Sequence, residues 1–462
     1  MGTIFRGGGA FFLRRTFKGA RLYAKVFSAY IEKLLSEGFN IEVFIEGGRS
    51  RTGKLLSPKL GLLSIILNAF REGACKDLIF VPIFIGYDKV LEEKSYLHEL
   101  SGGQKKPENL KQVIRARKLL RNRYGKIYIR FSDPISINEH LAKESKKISE
   151  MPSKEVNSLV RYLGYKCINA INDVSVITPY GLVASAILNS SKIRLSKEQL
   201  KHNLETYMNY LVSTNVKLAD TIVMDHTHAY DHVLETFIQR KFIENNTLPM
   251  IGESTEIQYE VPENKRASLD YYKNNCIAAF IPAAFTSLAI LSKDAFLFSA
   301  PDLHPHYKLF SEFFINEFSY NVDIPAEYFV RRTIKAFIDD AIIIPHPTLP
   351  DTYNLTSSGF RKLNLFAGFL KTYFESYWVV LKYYMQTPKE ANDPKDRIKK
   401  IQNISSKMYK NKEIERPESL SKITFINADD YFSSHGIHGA EDEEKIKQFA
   451  DIIQKYLKYF QS

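Results

Sequence analysis

The sequence is poor in cysteine and tryptophan and has no long apolar run. Its 462 residues include one tryptophan and three cysteines, Cys75, Cys167 and Cys276. Because these cysteines lie far apart in the chain, they predict neither a disulfide framework nor a cysteine-based zinc site. No apolar stretch reaches the ~18 residues that a membrane-spanning helix needs. The nearest, residues 276–291, contains Pro282 and predicts a buried helix instead.

The composition is that of a globular protein with an excess of positive charge. Hydrophobic residues make up 44% of the chain and charged residues 25%, which excludes a disordered or collagen-like polymer. The length indicates two or three domains. The 64 lysines and arginines outnumber the 52 aspartates and glutamates, for a net charge of +12. This charge favours an anionic partner, which leaves phosphate esters, acidic carrier proteins, anionic lipid and nucleic acid open.

Strand and helix patterns alternate over residues 19–131. Apolar residues at helical spacing between Gly19 and Glu37 predict a helix that stops at Gly38. Ser57 and Pro58 are typical of an N-cap followed by proline, and they predict a helix through residue 70. The other predicted elements are strands at residues 41–45, 78–85 and 127–131 and a basic helix at residues 107–123. Such alternation predicts a parallel sheet with covering helices.

Helical periodicity dominates from residue 154 onward. Ser196 with Gln199 predicts a capping box at the start of one helix, and Pro325 predicts the start of another. The apolar face of the latter helix would contain Val330, Ile334 and Phe337. Residues 357–384 predict a long aromatic-rich helix, whereas the polar residues 388–416 predict a linker.

Together these patterns predict an α/β fold. A sheet domain with covering helices is expected over residues 1–145 and a mostly α-helical domain over residues 146–387. Residues 388–462 are expected to form a linker and a helical tail. The sequence shows no internal repeat, so a solenoid is not indicated.

The segment with the densest functional signal is residues 44–54, FIEGGRSRTGK. The predicted strand ends at Glu46, at the edge where open α/β sheets place ligands, and Gly47 lets the backbone approach one. Arg49, Arg51 and Lys54 supply positive charge suited to a phosphate, which arginine binds with two parallel hydrogen bonds. The segment therefore predicts a phosphate-binding loop. The alternative is a solvated basic turn.

Part of this segment also matches a nucleotide-binding P-loop, because Gly48 is followed at the correct spacing by Gly53 and Lys54. However, Leu55 occupies the position of the Ser or Thr that would hold magnesium. Arginine side chains also crowd the loop, whereas a P-loop relies on backbone amides. A nucleotide hydrolase is therefore not favoured.

Two further segments lie on either side of this loop in the chain. Residues 8–15 lead from small residues into an apolar triplet and then into Arg14 and Arg15. Residues 81–88 form an apolar run with Pro82 near its start, and a proline there must lie at a strand edge or a bulge. Each segment alone is a weak signal, and a plain core strand explains the second equally well.

In this order and spacing, the three segments resemble the second, third and fourth motif blocks of the bacterial membrane-associated glycerol-3-phosphate acyltransferases. The related dihydroxyacetone-phosphate acyltransferases share these blocks. Further stretches resemble the family at residues 96–102, 131–136, 178–183, 271–275, 355–359 and 375–377. The resemblance covers most of residues 7–385. It implies a partial acyltransferase domain of sheet and covering helices, followed by a mostly helical C-terminal region.

The resemblance implies transfer of a fatty acyl group from acyl-CoA or acyl-acyl carrier protein to the sn-1 hydroxyl of glycerol 3-phosphate. This is the first step of phospholipid synthesis, and it needs no metal or other cofactor. By matching position, the substrate-binding residues would be Arg14, Arg15, Glu46, Gly47, Arg49, Arg51, Lys54 and Pro82. The shared blocks distinguish neither glycerol 3-phosphate from dihydroxyacetone phosphate nor one acyl donor from the other.

The family's first block, a histidine and an aspartate separated by four residues, is missing from its expected place. In the family this histidine is the general base and the aspartate orients its ring. This chain has no histidine before His98. Two His-x4-Asp spacings elsewhere, His226 with Asp231 and His346 with Asp351, agree with chance. We therefore expect an N-terminally incomplete chain without its catalytic residues, inactive as it stands, since losing a general base typically costs about 10²–10⁴-fold in rate.

The predicted basic helix at residues 107–123 is amphipathic, a pattern found both in helices that lie on anionic lipid and in ordinary solvated helices. With the family resemblance, it predicts peripheral attachment to the cytoplasmic face of a bacterial inner membrane. A non-catalytic homologue that binds glycerol phosphate or the acyl donor is an alternative. A nucleic-acid partner is not predicted, because the sequence has no zinc-finger spacing and no aromatic RNA-binding motif.

Overall fold

The computed structural model describes residues 2–14, 19–48, 50–89, 125–249, 255–321, 323–391, 393–394 and 396–460. The chain divides into two compact units. The N-terminal unit comprises Met1–Gly48, Pro58–Pro82 and Asp133–Cys167. The C-terminal unit comprises Arg49–Ser57, Ile83–Ser132 and Ile168–Ser462.

The α-helices of the described residues are, in chain order, α1 Gly2–Gly7, α2 Arg21–Ser36, α3 Leu60–Arg71, α4 Ile137–Lys143, α5 Ser153–Asp173, α6 Pro179–Leu188, α7 Lys197–Ser213, α8 Asp220–Gln239, α9 Arg266–Asn274, α10 Ile277–Leu291, α11 Ala300–Phe313, α12 Ala326–Asp339, α13 Ser357–Ala367, α14 Lys371–Gln386, α15 Arg397–Lys410, α16 Lys422–Ser434 and α17 Glu443–Leu457. The strands are β1 Ile79–Phe80, β2 Ile83–Tyr87, β3 Ile127–Phe131, β4 Ile135–Ser136, β5 Arg194–Ser196, β6 Glu244–Pro249, β7 Thr255–Glu260, β8 Leu297–Ser299, β9 Ile343–Pro345 and β10 Thr352–Leu355. This mixture of small sheets and many helices confirms the predicted α/β class with a helical C-terminal region.

Helices α2 and α3 pack against each other in the N-terminal unit. The helix predicted between Gly19 and Glu37 is confirmed as α2, and Gly38 follows it with a positive φ of 77°. Such a left-handed conformation ends a helix and suits glycine. Phe27 and Ile31 bury the inner face of α2 in the core of this unit.

The strand predicted at residues 41–45 is wrong. Within the described residues this segment has no ladder partner, and Phe44 is 70% exposed. Its backbone instead forms a turn, in which the Gly47 N–H donates to the Phe44 carbonyl at 2.8 Å. The next helix begins at Leu60 instead of after Pro58, because the Lys59 N–H donates to the Ile45 carbonyl at 2.8 Å and Lys59 becomes the N-cap residue.

The continuous strand predicted at residues 78–85 is divided at Pro82. Proline lacks the N–H that a ladder needs, so β1 ends before it and β2 begins after it. In the N-terminal unit β1 pairs with β4, and in the C-terminal unit β2 pairs with β3, the strand predicted at residues 127–131.

The predicted parallel sheet is wrong, because every ladder between the described strands is antiparallel. Burial on both faces is wrong as well. Ile83 and Ile85 are 37% and 42% exposed on one face of β2, whereas Phe84 on the other face packs against the core of the C-terminal unit. An antiparallel sheet commonly has one face exposed to solvent and the other packed on the core.

The C-terminal unit is mostly helical, as predicted, and besides the β2–β3 pair it contains two three-stranded antiparallel sheets in the orders β5-β7-β6 and β8-β10-β9. The capping box of Ser196 and Gln199 is confirmed at the start of α7. Pro325 is the N-cap residue of α12, whose buried face includes the predicted Val330, Ile334 and Phe337. The apolar segment at residues 276–291 is confirmed as the buried helix α10.

Two other predictions about this unit need correction. The long helix predicted at residues 357–384 is present as α13 and α14, separated by a short 3-10 turn at Gly368–Leu370. The linker predicted at residues 388–416 contains helix α15, which buries Ile401 and Met408 in the core. Its polar composition reflects the outer face of this helix, and two or three apolar anchors are enough to hold the inner face.

No single helix of the described residues is both long and apolar enough to cross a membrane. The helical segment Glu263–Asn274 and α10 have the length and apolar composition of a membrane span only when taken together, and the two are bent by 97° at their junction. The basic helix predicted at residues 107–123 lies outside the described residues.

Candidate functional site

The segment at residues 44–54 contributes to both units. Phe44 to Gly48 belong to the N-terminal unit, where Gly47 has a positive φ of 65°. A Cβ on Gly47 would lie 2.7 Å from Cγ of Lys59, so the turn requires glycine both for its conformation and for space. Glu46 is half-buried in this turn. A tight turn therefore holds Glu46, where the sequence predicts a strand end.

Residues 50–57 belong to the C-terminal unit and form a compact loop. The Gly53 N–H donates to Ser50 Oγ at 3.1 Å, and the Lys54 N–H contacts Thr52 Oγ1 at 3.4 Å. Asn274 Nδ2, on α9, donates to the Thr52 carbonyl at 2.9 Å. The loop is thus bonded both within itself and to a helix more than two hundred residues later in the chain.

The sequence predicts Lys54 as a phosphate ligand, but the structure places its ammonium inside the C-terminal unit. The Lys54 side chain is 5% exposed and forms an ion pair with Glu317, whose side chain is fully buried. The same ammonium lies 4.5 Å from the ring centre of Tyr373 and 5.3 Å from that of Phe318. A carboxylate and two aromatic faces therefore surround the charge.

A network of buried polar side chains continues from this pair. Asn274 also donates to Asp270 at 2.9 Å, and Asp270 pairs with Lys273 at 2.6 Å. The hydroxyl of Tyr373 contacts Asn274 Oδ1 at 3.3 Å. Two of the family-like segments noted in the sequence thus contribute buried residues to the C-terminal unit, residues 272–274 of the first and residues 375–377 of the second. From the sequence Asn274 was recognisable only as part of a family-like segment and Glu317 lay in no motif, so neither had a predicted role.

Two buried glutamates farther along have opposite pKa shifts. Burial raises the pKa of Glu375, although the Ser419 hydroxyl donates to it at 2.6 Å and two backbone N–H groups donate as well. Burial also acts to raise the pKa of Glu418, but the Arg266 guanidinium 2.8 Å away outweighs it and lowers that pKa. Glu418 is therefore held as a carboxylate, whereas the charge of Glu375 is disfavoured.

The other predicted substrate-binding residues fall in different places. Arg14 is exposed in the N-terminal unit, where its backbone N–H donates to the Tyr23 hydroxyl at 3.2 Å and its guanidinium lies 4.9 Å from that ring centre. Pro82 is buried at the break between β1 and β2, and Arg51 is half-buried in the loop of the C-terminal unit. Arg15 and Arg49 lie outside the described residues. That these side chains form one substrate site stays a prediction.

Neither His-x4-Asp spacing forms a pair in the described structure. Asp231 contacts Lys197 at 3.6 Å instead of His226. The ring of His346 accepts from the Leu349 N–H at 3.1 Å, and Asp351 lies 3.8 Å from Arg331. The histidine and the aspartate of each spacing therefore serve different local contacts.

A cavity of about 600 Å³ lies beside α7 and α8 in the C-terminal unit. Both helices pack on α6, and the buried side chains of Leu200, Leu204 and Leu234 form much of the apolar lining. Its volume falls in the range of small-molecule sites, about 300–1,000 Å³. None of residues 44–54 lines it, so it is separate from the predicted phosphate-binding loop.

Comparison with known proteins shows the family to which this fold and these motifs belong. Residues 1–86 match the family model "Acyltransferase", and residues 96–441 match "Glycerol-3-phosphate acyltransferase C-terminal region". The second match covers most of the chain. The chain therefore belongs to the glycerol-3-phosphate acyltransferase family, which confirms the resemblance stated from its motifs.

Curated relatives support this membership over nearly the whole chain. A glycerol-3-phosphate acyltransferase of Pasteurella multocida is 29% identical over 480 residues, which cover 99% of this chain and 56% of the relative. The protein of the same name from Haemophilus ducreyi is 29% identical over 479 residues, with the same shares of each chain. The one from Actinobacillus pleuropneumoniae is 30% identical over 476 residues, 96% of this chain and 54% of the relative. The chain thus spans about half the length of the curated relatives it matches.

Proposed function

We propose that this chain takes part in the transfer of a fatty acyl group from acyl-CoA or acyl-acyl carrier protein to the sn-1 hydroxyl of glycerol 3-phosphate. The observation that carries the proposal is the glycine- and arginine-rich loop at residues 44–54, in a chain that belongs to this family. The names of the relatives agree with this acceptor. No metal or other cofactor enters the proposal, because donor and acceptor supply all the reacting atoms.

In this proposal the cations of the N-terminal half bind the acceptor phosphate. The proposed phosphate ligands are Arg14, Arg15, Arg49 and Arg51, since guanidinium groups match phosphate geometry. Glu46 and Gly47 are the proposed contacts to the acceptor hydroxyls, and the positive φ of Gly47 supports this, since glycine allows a close backbone approach. Pro82 shapes the wall of the site. The acceptor hydroxyl then attacks the thioester carbon, a C–O bond forms and the C–S bond breaks, and the hydroxyl proton ends on the released thiol.

We assign the general base to no residue of this chain. Binding of glycerol phosphate without turnover is therefore a second candidate function. In the described residues Asp231 contacts Lys197 and no hydrogen bond joins it to His226, which favours this candidate, because a His–carboxylate base needs the two side chains hydrogen-bonded.

Calorimetric titration of the purified chain with glycerol 3-phosphate, and in parallel with dihydroxyacetone phosphate, tests the acceptor. An acyl-transfer assay with acyl-CoA and with acyl-acyl carrier protein tests turnover. Binding with turnover supports the transferase, and binding without turnover supports the second candidate. Absence of binding to either phosphate would overturn both.

A matched pair of arginine variants tests the loop itself. Arg51→Ala should weaken acceptor binding about 10-fold or more, since a charge-assisted bond contributes roughly 1.5–3 kcal/mol. Arg361→Ala removes the same charge from an exposed position on α13 and should leave binding unchanged. Equal effects of the two variants would remove Arg51 from the site.

We also propose that the protein attaches peripherally to the cytoplasmic face of a bacterial inner membrane through basic residues. The net charge of +12 and the basic amphipathic pattern of residues 107–123 support this. Extraction of membranes with high salt and with carbonate tests it. A protein that stays in the pellet after both treatments would contradict a peripheral, partly electrostatic attachment.

A further inference from the structure

We propose that Lys54 is a positioning residue: its ion pair with Glu317 anchors the arginine-bearing loop to the helical C-terminal unit and so sets the affinity for the acceptor phosphate. This inference rests on the proposed function of the loop. It assigns Lys54 a positioning role in place of the phosphate-binding role predicted from the sequence. Lys54 acts through Arg51 and its neighbours and does not touch the phosphate.

The burial of the pair makes each charge depend on the other. Lys54 is 5% exposed and the Glu317 side chain is fully buried, so neither can be satisfied by bulk water. The second carboxylate oxygen of Glu317, Oε1, has no hydrogen-bond partner in the described structure. Lys54 is therefore the principal compensation for a buried carboxylate, and breaking such a pair from one side is strongly unfavourable.

The backbone on either side of Lys54 is held to the same unit. Asn274 donates to the Thr52 carbonyl at 2.9 Å, and Gly53 lies so close to the carbonyl oxygen of Tyr271 that a Cβ would overlap it. Residues 52–54 are thus fixed at three consecutive positions. Arg51 immediately precedes these residues. Its backbone is therefore held in position on the C-terminal side.

A small polar cavity lies beside Lys54. Its volume is about 20 Å³, which is enough for one water molecule, and it is lined by Thr52, Lys54, Asp270 and Asn274 among others. A space of this size beside Lys54 does not admit a phosphate ester. The Lys54 ammonium is therefore enclosed by protein groups and does not bind the phosphate. The arginines are the phosphate-binding cations in this proposal.

Anchoring matters for affinity because a loop that is already ordered loses less conformational entropy when it binds. Release of residues 52–54 would let Arg51 sample many positions, and the acceptor phosphate would have to order it again. The loop and the acceptor are thereby coupled to a carboxylate 263 positions later in the chain.

The experiment compares Glu317→Gln with a matched control, Asp340→Asn. The control weakens a half-buried lysine–carboxylate pair, Lys362 with Asp340 at 2.8 Å, which involves no residue of the loop. Hydrogen–deuterium exchange of a peptide covering residues 50–57 reports the order of the loop, and calorimetric titration reports the affinity for glycerol 3-phosphate. Thermal unfolding of each variant reports folding.

We expect Glu317→Gln to speed exchange of this peptide and to weaken glycerol 3-phosphate binding about 10-fold or more, within the roughly 5–150-fold range of coupling between linked sites. Asp340→Asn should change neither. If Lys54 were itself the phosphate ligand, removing its competing carboxylate would leave affinity equal or raise it. Either of those results, or unchanged exchange in Glu317→Gln, would overturn the proposal.

A double variant provides the rescue. Lys54→Met alone leaves the Glu317 carboxylate buried without a partner, whereas Lys54→Met with Glu317→Leu replaces the pair by apolar packing, which buried sites tolerate well. We expect the double variant to bind glycerol 3-phosphate within about 3-fold of the unsubstituted chain, less than the roughly 5-fold lower bound of such coupling. If the double variant bound glycerol 3-phosphate as weakly as Lys54→Met does, Lys54 would itself be a phosphate ligand. That result would overturn the proposed positioning role.

The exchange measurement also separates this inference from the proposed function. If the unsubstituted chain does not bind the phosphate, the proposed function and the link to affinity fail together. The exchange of residues 50–57 in Glu317→Gln still decides whether the ion pair orders the loop.

Discussion

Gly53 lies directly against the backbone carbonyl oxygen of Tyr271, with a positive φ of 87°. The glycine- and arginine-rich loop thus meets helix α9 at a point where only glycine fits. Sequence spacing shows this glycine as part of a possible phosphate loop. The structure shows a second requirement for glycine at this position, which is close packing within the C-terminal unit.

This contact predicts that Gly53→Ala destabilises the protein by about 2 kcal/mol or more, since a Cβ adds both overpacking and backbone strain. Urea denaturation of the two proteins measures the difference in the free energy of unfolding. Gly61→Ala is the control, because Gly61 lies in α3 with open space around it, and alanine there should stabilise by about 0.5–1 kcal/mol. Equal stabilities of Gly53→Ala and the unsubstituted chain would contradict the packing described.

Two buried tyrosines on helices α7 and α8 provide a comparison of hydroxyl groups. Tyr207 accepts from Asn189 Nδ2 at 2.9 Å and donates to the Leu365 carbonyl at 3.1 Å, whereas the Tyr230 hydroxyl has no partner in the described structure. Tyr207→Phe should cost about 1–3 kcal/mol, because two buried polar groups lose their bonds. Tyr230→Phe should be neutral or stabilising. Chemical denaturation measures both, and a reversed order would show that the bonds of Tyr207 do not contribute.

The lowered pKa of Glu418 predicts acid sensitivity. Its carboxylate stabilises the fold above the ordinary pKa of 4.5, and this contribution is lost as pH falls below that value towards the folded pKa. Glu418→Gln should therefore destabilise the protein at pH 7, by about 3–5 kcal/mol because Arg266 loses a buried partner, and by less at pH 3. Urea denaturation at the two pH values measures this. The exposed Glu443→Gln is the control, and a pH-independent effect of Glu418→Gln would refute the assignment.

Glu375 predicts the opposite pH dependence. Because burial raises its pKa above 4.5, the folded state binds its proton more tightly than the unfolded state, and stability decreases as pH rises from 4.5 through the folded pKa. This decrease is at most about 1.4 kcal/mol per pH unit. Glu375→Gln should flatten the decline between pH 4.5 and pH 8 in a denaturation series. An unchanged slope in this variant would show that Glu375 ionises normally.

Local sequence signals were sufficient for several elements. The capping box of Ser196 and Gln199, the helix after Pro325 and the stop at Gly38 were all predictable, because the groups that form these signals are at most a few residues apart. The strand at residues 127–131 was predictable for the same reason, from a run of β-branched and aromatic residues.

Predictions that required a distant partner failed. Residues 41–45 have strand composition but no described neighbour to complete a ladder, and a strand is stable only in a sheet. The direction of β2 and β3 depends on their pairing, which alternation along the chain does not reveal. The polar residues of α15 concealed two apolar anchors that are sufficient to pack a helix.

The amino-acid sequence by itself determined the family, through short segments whose residue types and order are specific, and several of the helices, through periodicity and caps. Only the tertiary structure decided what Lys54 contacts. A cation in a glycine-rich loop is predicted to face a phosphate, and its side chain is instead enclosed by Glu317, Phe318 and Tyr373. The physical reason is that a charge is satisfied by whatever lies within a few ångströms of it, and the fold brings those groups together from distant parts of the chain.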